Sequence, residues 1–179
     1  MPVSLRVRAL PRGRSGAMLD GMQLPDAEAA RRIIPPGWAL LWGGVQTGLT
    51  ALAGGRRRFP GQALIAGTLT AAGFALGVQA LRLFAKAGTT SEPQEPSEAT
   101  TLVTDGVYAY TRNPMYCSIL LNLLAGAVWS GRLRTLVALP ALVLCLQPQI
   151  DAEEAALTTL FGADYEAYMA RVPRWFLAW

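Results

Sequence analysis

The sequence predicts an all-α integral membrane protein with about four transmembrane helices. The last two form a short helical hairpin, and a C-terminal amphipathic helix follows them. Two observations carry this reading. Apolar residues make up 52% of the 179-residue chain and charged residues only 16%, with a mean hydropathy of +0.29, too apolar for an ordinary soluble domain of this size. In addition, two polar blocks, Arg112-Asn113-Pro114-Met115-Tyr116 and Asp151-Ala152-Glu153-Glu154, are separated by 34 residues, Cys117 to Ile150, in which only Arg132 and Arg134 are charged. That length suffices for two short helices and a tight turn, which returns the chain to the face it left. The arginine, amide and tyrosine of the first block should therefore meet the carboxylates of the second at one membrane surface.

The elements follow in order. Residues 1–35 are a basic segment rich in Gly and Pro, carrying Arg6, Arg8, Arg12 and Arg14, expected to lie outside the folded domain. No apolar stretch of signal-peptide length follows it, so no cleaved export signal is read. The first span is Gly37 to Ala53, opened by Pro35-Pro36 and closed by Gly54-Gly55-Arg56-Arg57-Arg58; the second runs from Ala63 to Phe84, entered through Pro60-Gly61. A long loop, Ala85 to Pro114, begins as a polar connection and tightens around a turn at Asp105-Gly106. The third span, Met115 to Ser130, and the fourth, Leu133 to Ile150, are short. The third reaches only roughly 24 Å at about 1.5 Å per residue, against a hydrocarbon core of about 30 Å, so local thinning is expected there. From Asp151 to Val172 a polar-faced helix carries Leu157, Leu160, Tyr165, Tyr168 and Met169 at helical spacings, with Gly162 breaking it in two. Such a helix can lie along the interface and roof a site beneath it.

Charge gives orientation and excludes some partners. With the N-terminus in the cytoplasm, eleven of the 16 basic residues fall on cytoplasmic segments, and Arg56, Arg57, Arg58, Arg132 and Arg134 fall outside. The Arg56 to Arg58 triplet opposes this assignment but is outnumbered. The net charge of +4 sits in clusters flanking apolar runs, which points to lipid headgroups and away from nucleic acid. Cys117 and Cys145 both lie in apolar runs, so no disulfide framework is implied. There is no histidine, which removes an imidazole base and makes a zinc or haem site improbable; no metal site is predicted.

The candidate site residues each have an ordinary structural role as well. Glu153 and Glu154 can stabilise the positive end of a helix beginning at Asp151, an effect of a few tenths to one kcal/mol each. Adjacent helical residues point roughly 100° apart, so only one of the pair faces a pocket squarely while the other braces a neighbour. Arg112 can anchor a lipid phosphate, and Tyr108, Tyr110 and Tyr116 can belong to an aromatic belt. Their combination on one face favours a functional site.

Several blocks in order resemble the isoprenylcysteine carboxyl methyltransferase family, membrane methyltransferases related to phospholipid N-methyltransferases. These blocks are Leu102-Val103-Thr104-Asp105-Gly106-Val107-Tyr108, Thr111 to Tyr116, the hairpin, Glu153-Glu154, and Phe161-Gly162-Ala163-Asp164-Tyr165-Glu166-Ala167-Tyr168 with Val172-Pro173-Arg174. The resemblance covers roughly residues 85 to 176 of a single membrane domain, 36–179. It implies an S-adenosylmethionine site built from an Arg-His-Pro-x-Tyr block and a Glu-Glu pair, carried here by Arg112, Pro114, Tyr116, Glu153 and Glu154. Asn113 stands where the best-known members have histidine, as in bacterial members of the wider group, which keeps the cofactor site and loosens the expectation of a prenylcysteine substrate.

The chemistry of methyl transfer suits these residue types. The cofactor presents a sulfonium, an ammonium, a carboxylate and an adenosine, so its pocket needs carboxylates, a guanidinium, hydrogen-bonding groups and aromatic faces. Displacement at a methyl carbon needs mainly alignment and charge management. On this reading Glu153 or Glu154 binds the ammonium or ribose hydroxyls, Arg112 pairs with the cofactor carboxylate or orients an anionic acceptor, and Tyr108, Asn113 and Tyr116 frame the adenosine. Arg112 and Glu154 are the expected catalytic pair. The acceptor, a small or lipophilic carboxyl, thiol or amine, enters from the bilayer, and the site faces the cytoplasm of a bacterial inner membrane. Two alternatives remain open at this stage: an inactive membrane scaffold of the same fold, and a steroid-reductase-like NADPH enzyme.

Overall fold

The computed structural model describes residues 35–88 and 101–176. The expectations for the basic N-terminal segment and for the polar first half of the long loop fall outside these residues. What is described is helical. Helix α1 spans Pro35–Leu52, α2 Gln62–Ala87, α3 Pro114–Ser130, α4 Ala138–Phe161 and α5 Ala163–Met169, with short 3-10 segments at Gly106–Ala109 and Leu133–Val137. Among the described residues, α2 and the continuous stretch Leu133–Phe161 are long and apolar enough to cross a membrane, and α3 is a shorter apolar helix.

Small residues let the helices approach. Where lipid replaces water, tight van der Waals contact and interhelical hydrogen bonds bind helices more than apolar burial does. On α2, Gly73 faces Asn122 and the Ser118 carbonyl of α3 so closely that a Cβ there would collide with the Asn122 amide; Gly77 packs on the Ser118 hydroxyl. The Asn122 Nδ2 donates to the Ser118 carbonyl, 2.8 Å. The buried amide of Gln46 joins α1 to the rest by donating to the carbonyls of Leu123, 2.9 Å, and Thr135, 3.2 Å. The packed centre is Tyr116, Leu123, Leu142, Leu146 and Ile150, closed by Trp175 from the C-terminal segment.

At one end of the bundle the chain turns at Gly131, whose φ of +64° ends α3 in a left-handed cap. The buried Gln62 holds this end: its Nε2 lies 2.9, 2.8 and 2.9 Å from the carbonyls of Arg57, Val128 and Trp129. An amide in this position satisfies carbonyls that α3 leaves free at its C-terminus. The 54–61 turn is thereby fixed against the end of α3.

One expectation is corrected. The helix predicted to begin at Asp151 does not begin there, because α4 runs unbroken from Ala138 through Pro148 and the acidic block to Phe161. Nothing between Ile150 and Asp151 supplies a break, whereas Gly162, at φ 53° and ψ −128°, does, as the sequence indicated. Glu153 and Glu154 therefore lie well inside a helix, and the role of charges at a helix start does not apply to them.

Replacing Gly131 by alanine should cost about 2 kcal/mol or more, since the φ is left-handed and the new Cβ would run into the Arg57 carbonyl oxygen. Reversible unfolding in detergent measures the loss. A change under about 0.5 kcal/mol would contradict the assigned turn.

Candidate active site

The site lies at the other end of the bundle, where α3 begins, α4 passes and the chain returns through residues 169–176. Each strand of this arrangement has a local cause. Pro114 occupies the first turn of α3, where a missing N–H costs nothing, and is fully buried. Just before it, Thr111 and Asn113 turn towards the C-terminal segment: Thr111 Oγ1 and Asn113 Nδ2 both donate to the Arg174 carbonyl, at 2.8 and 3.1 Å. The backbone N–H of Arg112 donates to the Pro173 carbonyl, 3.0 Å. Three consecutive residues thus tie the 172–174 turn to the head of α3.

Glu154 is the hub. Its Oε1 accepts from Arg112 Nε and Nη2, at 3.1 and 2.9 Å, and from Arg174 Nε, 3.1 Å; its Oε2 accepts from Arg174 Nη2, 2.6 Å. Charge-assisted contacts of this kind are short and directional. Arg174 also meets Asp151 at 2.8 Å and Gln147 at 2.7 Å, and Arg112 Nη1 donates to the carbonyls of Val172, 2.7 Å, and Met169, 3.2 Å. The Arg112 and Glu154 side chains are only 13% and 12% exposed, so water screens this pair weakly. Arg112 is largely committed within the protein.

Glu153, one residue earlier on α4, turns to a different set. Its Oε1 accepts from the Tyr116 hydroxyl, 2.5 Å, and from Gln149 Nε2, 3.1 Å. No cation pairs with it among the described residues. The division of labour between adjacent carboxylates follows from helix geometry: about 100° separates them, so one meets arginines and the other a phenol and an amide.

Tyr108 completes the site from the 3-10 segment. Its ring stands edge-on to Phe84 of α2, 5.3 Å between centroids, and its carbonyl accepts from the Tyr168 hydroxyl, 2.8 Å. The Tyr108 hydroxyl itself is buried with no hydrogen-bond partner among the described residues. Burial pushes this hydroxyl well above the usual phenol range, and the nearby Tyr168 and Glu153 push it the same way. It remains a neutral donor. Such a buried hydroxyl has a donor left to offer a ligand or water atom.

Beside the hub a cleft of about 930 Å³ opens between α3, α4 and the C-terminal segment. Leu120, Leu124 and Val143 line its apolar length, and Arg112, Gln147 and Arg174 its polar end. The sequence brought together Arg112, Tyr116, Glu153 and Glu154, and the structure places them in two adjacent hydrogen-bonded groups, Arg112 with Glu154 and Tyr116 with Glu153. Asn113 reaches the C-terminal turn through the Arg174 carbonyl, and Pro114 lies buried in the first turn of α3. Sequence reasoning did not give Arg174, Gln147 and Gln149 a role, although two glutamines in an otherwise apolar run were a visible signal.

A family model described as phospholipid methyltransferase matches residues 62–164. The chain is 38% identical over 73 residues to a protein-S-isoprenylcysteine O-methyltransferase of Schizosaccharomyces pombe, a match covering 40% of this chain and 31% of that protein. It is 39% identical over 62 residues to an uncharacterized protein of Haemophilus influenzae, covering 34% of this chain and 98% of that protein. The chain thus spans about a third of the length of the Schizosaccharomyces pombe relative. No solved structure matches it.

Removing either arginine leaves Glu154 short of charge in a poorly hydrated position. Arg112→Ala should destabilise by about 2–3 kcal/mol. In a double-mutant cycle with Glu154→Gln, unfolding in detergent should return a coupling of about 1–3 kcal/mol. Strict additivity of the two changes would show that the pair contributes nothing.

Proposed function

The chain belongs to the phospholipid methyltransferase family, and from that premise we propose that it is an integral membrane methyltransferase using S-adenosylmethionine to methylate a small or lipophilic acceptor. The observation that carries this reading is the pairing of two groups at one end of the bundle: a carboxylate, Glu153, engaged only by neutral donors, and the buried, unpartnered hydroxyl of Tyr108. A cationic ligand with polar substituents fits that donor set, since Glu153 offers a carboxyl group with no cation already on it, whose charged form such a ligand would stabilise, and Tyr108 a spare donor.

When bound, the cofactor supplies a methyl group on a cationic sulfur. The chain's own residues then have distinct tasks. Glu153 binds the ammonium or ribose hydroxyls, with Tyr116 and Gln149 holding its carboxylate in place. Tyr108 donates to a ligand oxygen or nitrogen. Arg112 and Glu154, named as a catalytic pair from the sequence, act here as positioning residues: their ion pair holds α4 against the head of α3 and fixes the 172–174 turn. Asn113 and Pro114 contribute by setting that turn and the start of α3.

The acceptor enters the cleft between α3 and α4 from the lipid side, its apolar part against Leu120, Leu124 and Val143 and its reactive end towards Arg112 and Arg174. The chemistry favours an acceptor such as a carboxylate or thiolate, which is already nucleophilic when ionised. An amine would first have to lose a proton, and the chain has no histidine to accept it. On this reading four helices cross the bilayer, with the α3 and α4 pair as a hairpin. The site faces the cytoplasm, within a single domain of residues 36–179 whose core is 85–176.

Calorimetry on the purified protein should show binding of S-adenosylhomocysteine, and Glu153→Gln should weaken it at least tenfold. Glu154→Gln and Arg112→Ala should do the same through loss of alignment. Absence of binding by the unmutated protein, or thermal stabilisation by NADPH in its place, would overturn the proposal. Radiolabel passing from S-adenosylmethionine into a lipid extract would separate an active enzyme from an inactive scaffold.

A further inference from the structure

The end of the bundle away from this site carries a second constellation that methyl transfer does not use. Arg56, Arg57 and Arg58 on the turn after α1 lie against Arg132 and Arg134 on the turn after α3: the Arg57 N–H donates to the Ser130 carbonyl, 2.9 Å, and Arg132 Nε to the Gly55 carbonyl, 3.0 Å. No acidic residue occurs in the sequence between Glu28 and Glu92, nor between Asp105 and Asp151. Five arginines are therefore gathered on two adjoining turns without a carboxylate on either.

Arg56 is the most constrained of them. Its guanidinium carbon stands 3.4 Å from the centre of the Trp129 ring, and Nη2 donates to Gln62 Oε1, 3.1 Å, which the Gln62 clasp holds fixed. Its Nε is buried without a partner among the described residues. The guanidinium is thus pre-oriented by a ring on one side and an amide on another, with hydrogen-bonding capacity left over.

From Arg56 a cleft of about 950 Å³ runs along the bundle between α1, α2 and α3. Most of its surface is apolar or small, with Gly43 and Ala51 on α1, Phe74 and Val78 on α2 and Ile119 on α3, and the polar side chains along it, Gln46, Thr47, Thr50, Ser118 and Asn122, donate to backbone carbonyls. Gly43 has open space where a Cβ would stand. A basic, acceptor-seeking head joined to a long apolar channel at membrane depth matches one ligand chemistry, an anionic lipid.

We propose that this cleft holds one anionic phospholipid of the leaflet opposite the candidate active site, its phosphate at Arg56 and the neighbouring arginines and one acyl chain between α1 and α2. The lipid is structural, not the methyl acceptor, and the proposal does not depend on the methyltransferase reading beyond the chain's residence in a bilayer. It also gives the Arg56 to Arg58 triplet a purpose on the face where basic residues are in the minority: the phosphate neutralises it.

Native mass spectrometry tests this on the full chain in detergent micelles, offered equimolar phosphatidylglycerol and phosphatidylcholine with identical acyl chains. Retention of phosphatidylglycerol at one per chain is expected, at least fivefold above phosphatidylcholine. It should fall at least fivefold in Arg56→Gln. Gly43→Phe, which fills the channel away from the arginines, should lower it similarly, and this second variant decides the matter if Arg56→Gln does not fold. Soluble glycerol phosphate at equal concentration should not compete. Equal retention of both lipids, retention unaffected in the folded variants, displacement by glycerol phosphate, or a second copy of the chain seated in the cleft would each overturn the proposal.

Discussion

Everything at the end of the bundle that holds the candidate site is organised by one carboxylate. Glu154 projects from α4 into a poorly hydrated position and is held there by Arg112 from the head of α3 and Arg174 from the C-terminal turn. Each partner is anchored in its turn: Arg112 also reaches the Met169 and Val172 carbonyls, and the Arg174 carbonyl receives Thr111 and Asn113. Removing any one member would leave a charge or carbonyl unpaired where water cannot substitute. The ion pair is valuable less for its own energy than because three separate segments must be correctly placed before it can form.

That arrangement frees the neighbouring residue. Because Glu154 absorbs both arginines, Glu153 is left without a cationic partner among the described residues and is steadied only by Tyr116 and Gln149. Two adjacent glutamates in sequence thus become two different groups in space, one structural and one available. Their contrast arises from the helical angle between them and from which helix stands opposite each.

Much of this was legible in the sequence, because the signals were strong and local. The apolar runs bounded by Gly, Pro and Arg marked where helices α1 to α4 lie, and the Gly162 break and the Asp105-Gly106 turn fell where their residues required. The meeting of the Arg112 and Glu153 blocks followed from the length of chain between them. What could not be read was the partner of each side chain. Arg174 entered only as the end of the Val172-Pro173-Arg174 block, and its capture by Glu154 depends on the 172–174 turn folding back, which no periodicity encodes. Likewise the start of a helix at Asp151 was placed where the apolar run of the fourth span gives way to acidic residues. Here they ride on a helix already under way, because helix continuation requires only the absence of a breaker.

The continuity of α4 carries a consequence for how this chain can change over time. The same rod that packs Leu142, Leu146 and Ile150 in the core also presents Glu153 and Glu154 to their partners. One residue gained or lost between Ala138 and Asp151 would swing the carboxylates by about 100° and shift them by about 1.5 Å along the axis, so Glu154 would turn from its arginines while the core face turned with it. The apolar half of α4 works as a measured shaft, whose residue count sets the bearing of the charges at its end.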